Sequence, residues 1–257
     1  MLLNTHTHCD YSPDATGTLR EVLDEAVRLG LSYIAMTDHL ELGNEKYRKV
    51  LEVDNYYNDI MSLKSEYLKK GLYVATGVEV GWQKSTEYKA KEILEKYPFE
   101  YVINSVHQFD GANSATSYEF YSKYIEAVSN SVDAVYEYDA IGHFGFYTRY
   151  NRFDDNSMTL DKFGDKIKIT LKKIADKDKI LELNSRSNPD LQDAVPSLEI
   201  MKLFKQLGGK HTTFASDSHK VSAIQFNLDK TKGVALQAGF KEWTIKKDGK
   251  REIATIE

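Results

Sequence analysis

The sequence predicts an α/β protein with a closed or nearly closed (β/α) barrel, and three observations indicate this class. Short apolar segments typical of buried strands alternate with longer amphipathic segments typical of helices. Seven such strand–helix units follow one another through most of the 257 residues, without a linker. Strands separated by helices pair in parallel, and seven units at this length suit a barrel. An open, doubly wound sheet is the alternative, since one sequence does not specify strand order.

The first unit illustrates the pattern. Leu2–His8 is predicted as a strand, and the next helix is expected to begin at Thr18, where Thr18 and Glu21 have the spacing of a capping box, and to end at Gly30. Later strands are expected at 31–39, 72–81, 101–108, 139–145, 179–186 and 211–219. Further helices are expected at 55–70, 87–97, 118–128, 160–175, 197–207 and 222–238.

The C-terminal residues 239–257 follow a different pattern. Apolar and polar residues alternate on both sides of Asp248 and Gly249, a pair typical of two-residue hairpin turns. We therefore expect a short C-terminal β-ribbon with a structural role. No shift in composition precedes it, so residues 1–257 are predicted to form a single domain.

Charge and composition limit the classes of function. Hydrophobic residues make up 41% and charged residues 28%, as in ordinary soluble proteins. The net charge of -5, without a basic stripe, argues against a nucleic-acid polymer as partner, but a local pocket can still bind a small anion. Cys9 is the only cysteine, which excludes an intrachain disulfide framework. No signal peptide or membrane span is predicted, so the expected location is the cytoplasm.

Most of the histidines fall where predicted strands end. In parallel α/β proteins the carboxyl ends of the strands meet at one face, where active sites form. Glu79, Asp217, Asn184 and Arg186 occupy equivalent places, whereas His211 begins a strand and is interpreted as structural. The histidines at strand ends are His6, His8, His39, His107, His143 and His219. Because isolated buried charges are costly, and because imidazole and carboxylate suit zinc, iron or manganese, this cluster predicts a metal centre.

The number of candidate ligands exceeds what one ion needs. Asp14, Glu79, Asp217 and the six histidines make nine candidates. A catalytic zinc takes about three protein ligands and leaves one position open, so we expect two or three divalent ions. Adjacent cations suit hydrolysis of phosphate esters, because they stabilise both the attacking and the leaving oxygen. Cys9 is expected to face the barrel wall, and Asp38 to orient a neighbouring ligand.

The motifs together resemble a known family. The segments HTH at 6–8, TDH at 37–39, GVE at 77–79, SVH at 105–107, GH at 142–143 and SDSH at 216–219 are similar, in type and order, to those of the polymerase and histidinol phosphatase (PHP) superfamily. GHFGFYTRY, LELNSR and LGGKHTTFASDSH resemble its histidinol-phosphate phosphatase branch. The resemblance implies a distorted (β/α)7 TIM-like barrel, a trinuclear centre and hydrolysis of L-histidinol phosphate, a reaction of histidine biosynthesis.

The same resemblance, carried over by position, implies three groups of metal ligands. The first group is His6, His8, Glu79 and Asp217; the second is Asp14, His39 and His219; the third is Glu79, His107 and His143. Glu79 would bridge two ions, as a carboxylate can. Asp14 departs from the family, because some relatives have histidine there, and this departure bears on the identity and affinity of the second metal.

Two arginines are predicted to bind phosphate. Arg149 follows strand five and Arg186 follows strand six, at positions where family members bind this group, and a guanidinium matches phosphate oxygens in a bidentate manner. We expect water to attack phosphorus directly, with the arginines stabilising charge on the phosphoryl oxygens. Asp217, His219 or a water held by a metal would protonate the leaving alkoxide.

The histidinol group carries an ammonium and an imidazole, so carboxylates and an aromatic wall are expected around it. The residues expected on the mouth loops are Asp10, Glu41, Phe109, Phe144 and Tyr147. Two alternatives stay open at this point. One is another phosphoesterase of the superfamily, acting on nucleotides or phosphotyrosine; the other is a catalytically inactive module that binds metal or phosphate.

Overall fold

A computed structural model describes residues 1–43, 51–186 and 194–256 of the chain. Strands and helices alternate along these residues. The strands are β1 (Leu3–Thr7), β2 (Tyr33–Met36), β3 (His39–Leu40), β4 (Tyr73–Gly81), β5 (Tyr101–Ser105), β6 (Ala140–Ile141), β7 (Ile180–Asn184), β8 (Thr212–Ala215), β9 (Glu242–Lys247) and β10 (Lys250–Thr255). The α-helices are α1 (Leu19–Arg28), α2 (Val53–Lys69), α3 (Glu87–Lys96), α4 (Ser117–Ser131), α5 (Leu160–Asp176), α6 (Leu198–Gln206) and α7 (Leu228–Gln237).

Seven strand positions form one parallel sheet in the order β1, β2, β4, β5, β6, β7 and β8, and β3 also pairs with β4. The two ends of this sheet approach each other. The amide of His8 donates to the carbonyl of Ser218 at 3.0 Å, and the amide of Asp217 donates to the carbonyl of His6 at 3.0 Å. The predicted, nearly closed (β/α)7 barrel is therefore confirmed, and the doubly wound alternative was wrong.

The predicted strand 31–39 is divided into β2 and β3 by a break that helps to build the site. At this break the carboxylate of Asp38 accepts hydrogen bonds from the amide of Cys9 at 3.0 Å and from the hydroxyl of Ser12 at 2.6 Å. Asp38 therefore binds the loop that follows β1. This contact joins the exit of the first strand to His39, at the exit of the second.

The first helix begins as predicted. The hydroxyl of Thr18 accepts a hydrogen bond from the amide of Glu21 at 3.3 Å, and the carboxylate of Glu21 accepts one from the amide of Thr18 at 2.7 Å. This reciprocal pair satisfies two backbone donors at the start of α1. Leu19, Val22 and Leu23 then pack into the core.

The predicted last helix, 222–238, was wrong in its first half. The chain forms a 3₁₀ turn over Val221–Ala223 and begins α7 only at Leu228. Asn227 precedes that helix with a φ of 53°, a left-handed conformation that asparagine tolerates better than most residues and that interrupts a helix. The apolar spacing continues across this break, which is why the pattern alone predicted one helix.

The C-terminal ribbon is present. β9 and β10 pair antiparallel and turn at Asp248 and Gly249, which have φ values of 50° and 74°. The buried Trp243 of β9 packs against the barrel, and the hydroxyl of Tyr33 donates to the carbonyl of Lys246 at 2.9 Å. Since Tyr33 begins β2, the ribbon covers the amino end of the barrel. Among the residues the structure describes, no helix has the length and apolar character needed to cross a membrane.

Candidate metal centre

The imidazoles predicted to meet do lie together at the carboxyl ends of the strands. His6 and His8 both project from the end of β1, and their ring centroids are 5.0 Å apart. The ring of His8 also lies 4.3 Å from that of His39 and 4.2 Å from that of His219. The strand ends thus converge on one cluster of nitrogen and oxygen atoms.

The first group of donors combines two imidazoles with two carboxylates. Nε2 of His6 lies 3.3 Å from Oε2 of Glu79 and 3.8 Å from Oδ1 of Asp217. Nε2 of His8 lies 3.6 Å and 3.4 Å from the same two oxygens. Asp217 adopts a left-handed φ of 50°, an uncommon conformation that is often found at functional sites.

The second group lies nearer the surface. Nε2 of His39 and Nε2 of His219 are 3.3 Å apart. Oδ1 of Asp14 lies 3.6 Å from the former nitrogen, and Oδ2 of Asp14 lies 3.5 Å from the latter. Asp14, whose side chain is 43% exposed, therefore reaches the cluster from the loop after β1.

The third group shares Glu79 with the first. Oε1 of Glu79 lies 2.8 Å from Nε2 of His143 and 3.2 Å from Nε2 of His107. These two nitrogens are 3.2 Å apart. Oε1 of Glu79 also accepts a hydrogen bond from the hydroxyl of Ser105 at 2.7 Å, which holds the carboxylate between the two groups.

The spacing of these donors fits divalent cations. Ligands about 2.0–2.1 Å from a tetrahedral zinc lie about 3.3–3.4 Å from one another, close to most of the separations observed here. Nε2 of His6 and Nε2 of His8 are buried without a hydrogen-bond partner among the described residues, and Oε2 of Glu79, which faces both, lies 2.8 Å from Nδ1 of His39. Buried polar atoms without partners are costly, so a group that accepts their lone pairs would stabilise the site.

The electrostatics of the site favour ionised carboxylates. Burial alone would raise the pKa of Glu79, but His6, His107 and His39 hold it well below its usual range. Burial likewise opposes ionisation of Asp217, yet Arg149 and His6 keep its pKa well below the usual range. For His6, burial lowers the pKa, but Glu182, Glu79 and Asp217 outweigh this effect and raise it well above the usual value.

Sequence reasoning missed Glu182, which contacts two members of the cluster. Its Oε2 lies 2.9 Å from Nδ1 of His6, and its Oε1 accepts a hydrogen bond from the amide of His143 at 3.1 Å. A signal was available, because Glu182 and Asn184 are two residues apart on β7 and so face the same side of the sheet.

Asp38 lies behind the cluster and contacts it through Ser12. Its partner Ser12 lies 3.2 Å, through Oγ, from Nδ1 of His8, and the same Oγ accepts a hydrogen bond from the amide of His39 at 3.1 Å. Cys9 is buried, and its Sγ donates to Oδ2 of Asp38 at 3.2 Å. Burial raises the pKa of this thiol far above its usual range, so it stays protonated against the barrel wall.

A cavity of about 260 Å³ opens above the cluster. Its lining includes Asp14, His39, His107, Asp217, His219, Arg149, Arg186, Gln108, Phe146, Tyr147 and Tyr150. Nη1 of Arg149 donates to Oδ2 of Asp217 at 2.8 Å, and its guanidinium carbon lies 3.9 Å from the ring centroid of Phe146. Nη1 of Arg186 lies 3.1 Å from Nδ1 of His219. Both predicted arginines thus face the cavity.

Two predicted substrate contacts lie elsewhere. Asp10 is exposed and lines a different surface cavity, with Tyr11, Arg20 and Asp59, because the loop after β1 directs it away from the mouth. Glu41 is 3% exposed, and its Oε1 lies 2.5 Å from Nδ1 of His107, so it contacts a histidine of the cluster from behind.

Of the three predicted aromatic residues, one lines the cavity and two do not. Tyr147 lines the cavity and donates to the carbonyl of His107 at 2.7 Å. Phe144 is fully buried in the core, and Phe109 packs edge-on against Phe120 and Tyr147. Phe146 and Tyr150, which the sequence analysis did not single out, line the cavity in their place.

The fold and this cluster of donors define a PHP-type barrel, and comparison with known proteins agrees. The family model of the PHP domain matches residues 4–186, and the chain belongs to this family. A probable histidinol-phosphatase of Clostridium acetobutylicum is 26% identical over 237 residues, covering 89% of this chain and 90% of the relative. A histidinol-phosphatase of Lactococcus lactis is 26% identical over 249 residues, covering 93% and 92%.

One solved structure is similar over almost its entire length. It is the histidinol phosphate phosphatase of Lactococcus lactis in complex with zinc, L-histidinol and phosphate. The TM-score is 0.89 at 25% sequence identity, and the match covers 98% of each chain.

Proposed function

We propose that this protein is a metal-dependent phosphomonoester hydrolase that converts L-histidinol phosphate and water into L-histidinol and phosphate. The observation that carries the proposal is the joint arrangement at the barrel mouth: three groups of nitrogen and oxygen donors border one cavity that two guanidiniums also face. The relatives named above support the substrate, since one of them holds L-histidinol and phosphate together with zinc.

In this proposal each donor group holds one divalent ion. His6, His8, Glu79 and Asp217 hold the first, Asp14, His39 and His219 the second, and Glu79, His107 and His143 the third. Bound ions of this kind lower the pKa of coordinated water and neutralise charge on phosphoryl oxygens. Zinc, manganese and iron all accept this mixture of imidazole and carboxylate.

Arg149 and Arg186 bind the phosphate in this proposal. Arg149 is rigidly placed, because its side chain is only 7% exposed, donates to Asp217 and stacks on Phe146. Arg186 is 43% exposed and sits at the rim of the cavity. A buried guanidinium on one side and a partly exposed one on the other suit an anion that must enter, react and leave as free phosphate.

Asp217 orients groups rather than giving up a proton. Its low pKa keeps it ionised near neutral pH, with one oxygen facing the histidines of the first group and the other accepting from Arg149. The proton for the leaving alkoxide therefore comes from a group other than Asp217, and Nε2 of His219 already belongs to the second donor group. The leaving group would lie against the aromatic wall of Phe146, Tyr147 and Tyr150.

A kinetic panel tests the proposed function. The purified protein, loaded in turn with zinc, manganese or iron, is assayed with L-histidinol phosphate, nucleoside monophosphates and phosphotyrosine. We expect the largest kcat/KM for L-histidinol phosphate. A larger value for phosphotyrosine or a nucleotide would overturn the substrate, and full metal occupancy without turnover of any ester would overturn the enzymatic function.

A further inference from the structure

We propose that Glu182 is a positioning residue: its buried carboxylate fixes the tautomer of His6, and so presents the lone pair of Nε2 to the first cation. The inference rests on the proposed function for the presence of that cation. It goes beyond that function by assigning a task to a residue outside the three donor groups.

Glu182 lies at the centre of β7 and is fully buried. Both of its oxygens are engaged. Oε1 accepts hydrogen bonds from the amide of His143 at 3.1 Å and from Nδ2 of Asn184 at 2.9 Å. Oε2 lies 2.9 Å from Nδ1 of His6. The side chain has no surface exposed to bulk solvent.

The partners of Oε1 determine what this side chain must be. A backbone amide and an amide NH₂ can only donate, so the atom at the Oε1 position must accept. A carboxylate can accept on both oxygens at once. A glutamine has one accepting oxygen, and when that oxygen faces His143 and Asn184, its NH₂ group must face His6.

The identity of the atom facing Nδ1 decides which nitrogen of His6 carries the proton. An accepting oxygen favours the proton on Nδ1, which leaves a lone pair on Nε2. That nitrogen faces Oε2 of Glu79 at 3.3 Å and Oδ1 of Asp217 at 3.8 Å, inside the first donor group. A donating NH₂ would favour the opposite tautomer and would place a hydrogen where the cation belongs.

Glu41 provides a matched control. It contacts His107 in the same way, but only one of its two oxygens has a partner. Its Oε1 lies 2.5 Å from Nδ1 of His107. Its Oε2 is buried and makes no hydrogen bond to any residue in the described part of the chain. A glutamine at position 41 can therefore turn its oxygen toward His107 and place its NH₂ group where Oε2 of Glu41 lies.

The experiment compares the wild type with Glu182→Gln and Glu41→Gln, each of which removes one buried negative charge beside a histidine of the cluster. Zinc affinity is measured by competition with a chelator. Histidine tautomers are measured in the metal-free proteins by ¹⁵N-histidine NMR at a pH where the rings are neutral. We expect Glu182→Gln to weaken zinc binding at the first donor group by about 10- to 100-fold, and to move the proton of His6 from Nδ1 to Nε2. Glu41→Gln should keep its zinc affinity closer to that of the wild type and should retain the wild-type tautomer of His6.

The possible outcomes either support or overturn the positioning role of Glu182. Equal losses of zinc affinity in both variants would overturn the proposal, because loss of charge would then explain the effect. Retention of the Nδ1 proton in Glu182→Gln would also overturn it. If Glu182→Gln does not fold, the wild type alone decides, since a proton on Nε2 of its metal-free His6 would contradict the proposal. A wild type that binds no zinc but shows the expected tautomers would contradict the proposed function and leave the positioning role of Glu182 supported.

Discussion

Histidines and carboxylates occur at both ends of the barrel, but their contacts differ between the two ends. At the amino end, which the C-terminal ribbon covers, Nδ1 of His211 lies 3.1 Å from the hydroxyl oxygen of Thr244. There Lys246 pairs with Asp139 at 2.8 Å. At the carboxyl end, imidazole nitrogens face one another, as between His107 and His143 at 3.2 Å.

The two ends therefore differ in whether their buried polar atoms have partners within the chain. At the amino end, the residues named above pair with one another as folded. At the mouth, several buried lone pairs converge without donors among the described residues. Binding of protons or divalent cations would stabilise such a cluster, so the mouth favours cations, whereas the ribbon covers the opposite end.

The largest expected contrast between the two ends is catalytic. Glu79 touches the first and third donor groups, so Glu79→Gln should weaken metal binding and lower kcat/KM by about 10³-fold or more, given the several kcal/mol that metal ions contribute to stabilising a phosphoryl transition state. His211→Ala, at the other end, should leave the metal content and kcat/KM unchanged. Metal analysis and steady-state kinetics with L-histidinol phosphate measure both. An equal effect of the two substitutions would remove the functional distinction between the ends.

The arginines offer a second contrast. Arg149→Ala removes a buried guanidinium that faces the cavity and should lower kcat/KM by about 10²- to 10³-fold. Arg186→Ala should act in the same direction but less strongly, because Arg186 is 43% exposed. Arg251, which pairs with Asp178 at 2.7 Å at the amino end, is the control. Kinetics that are unchanged in Arg186→Ala would show that this residue does not bind phosphate.

A third prediction concerns the mouth alone and is the pH dependence of zinc binding there. Burial lowers the pKa of His107, but Glu79 and Glu41 raise it well above 6.5, and the carboxylates around His6 do the same. In the metal-free protein these two groups therefore stabilise the fold below pH 6.5, and this stabilisation is lost as the pH rises through their raised pKa values.

Zinc must displace those protons, so its affinity should rise with pH by about tenfold per pH unit for each proton released. Titration calorimetry in two buffers with different ionisation enthalpies counts the protons. Zinc binding without proton release would contradict the raised pKa values of His6 and His107.

The smallest expected effect is a change in stability that leaves the site unaltered. Thr18→Ala removes the cap of α1, on the outer layer of the barrel, and should lower the free energy of unfolding by about 1 kcal/mol. Zinc affinity and kcat/KM should stay the same. Denaturant unfolding and the zinc titration together check this. A change in zinc affinity would show that α1 and the mouth are energetically coupled.

The sequence predicted the barrel well because its signals are local. Strands such as β2 and β7 contain short apolar runs, and Thr18 with Glu21 marks a helix start within four residues. The positions of the six histidines followed from the same logic, since parallel strands share one exit. Position along a strand thus predicted position in space.

Features that depend on loop geometry or on contacts across the barrel were not predictable in this way. Asp10 and Asp14 lie in the same loop, yet only Asp14 turns toward the cavity. Glu182 was missed because its importance depends on His6, which is 176 residues away in the chain. Only the three-dimensional structure brings these two residues together.

Anomalous diffraction from zinc-soaked crystals would test the metal centre most directly. Peaks at the zinc absorption edge are expected inside the three donor groups, with Glu79 between the first and the third. Crystals that show no peak among these donors, or zinc only at the amino end near His211, would contradict a barrel mouth built to hold cations.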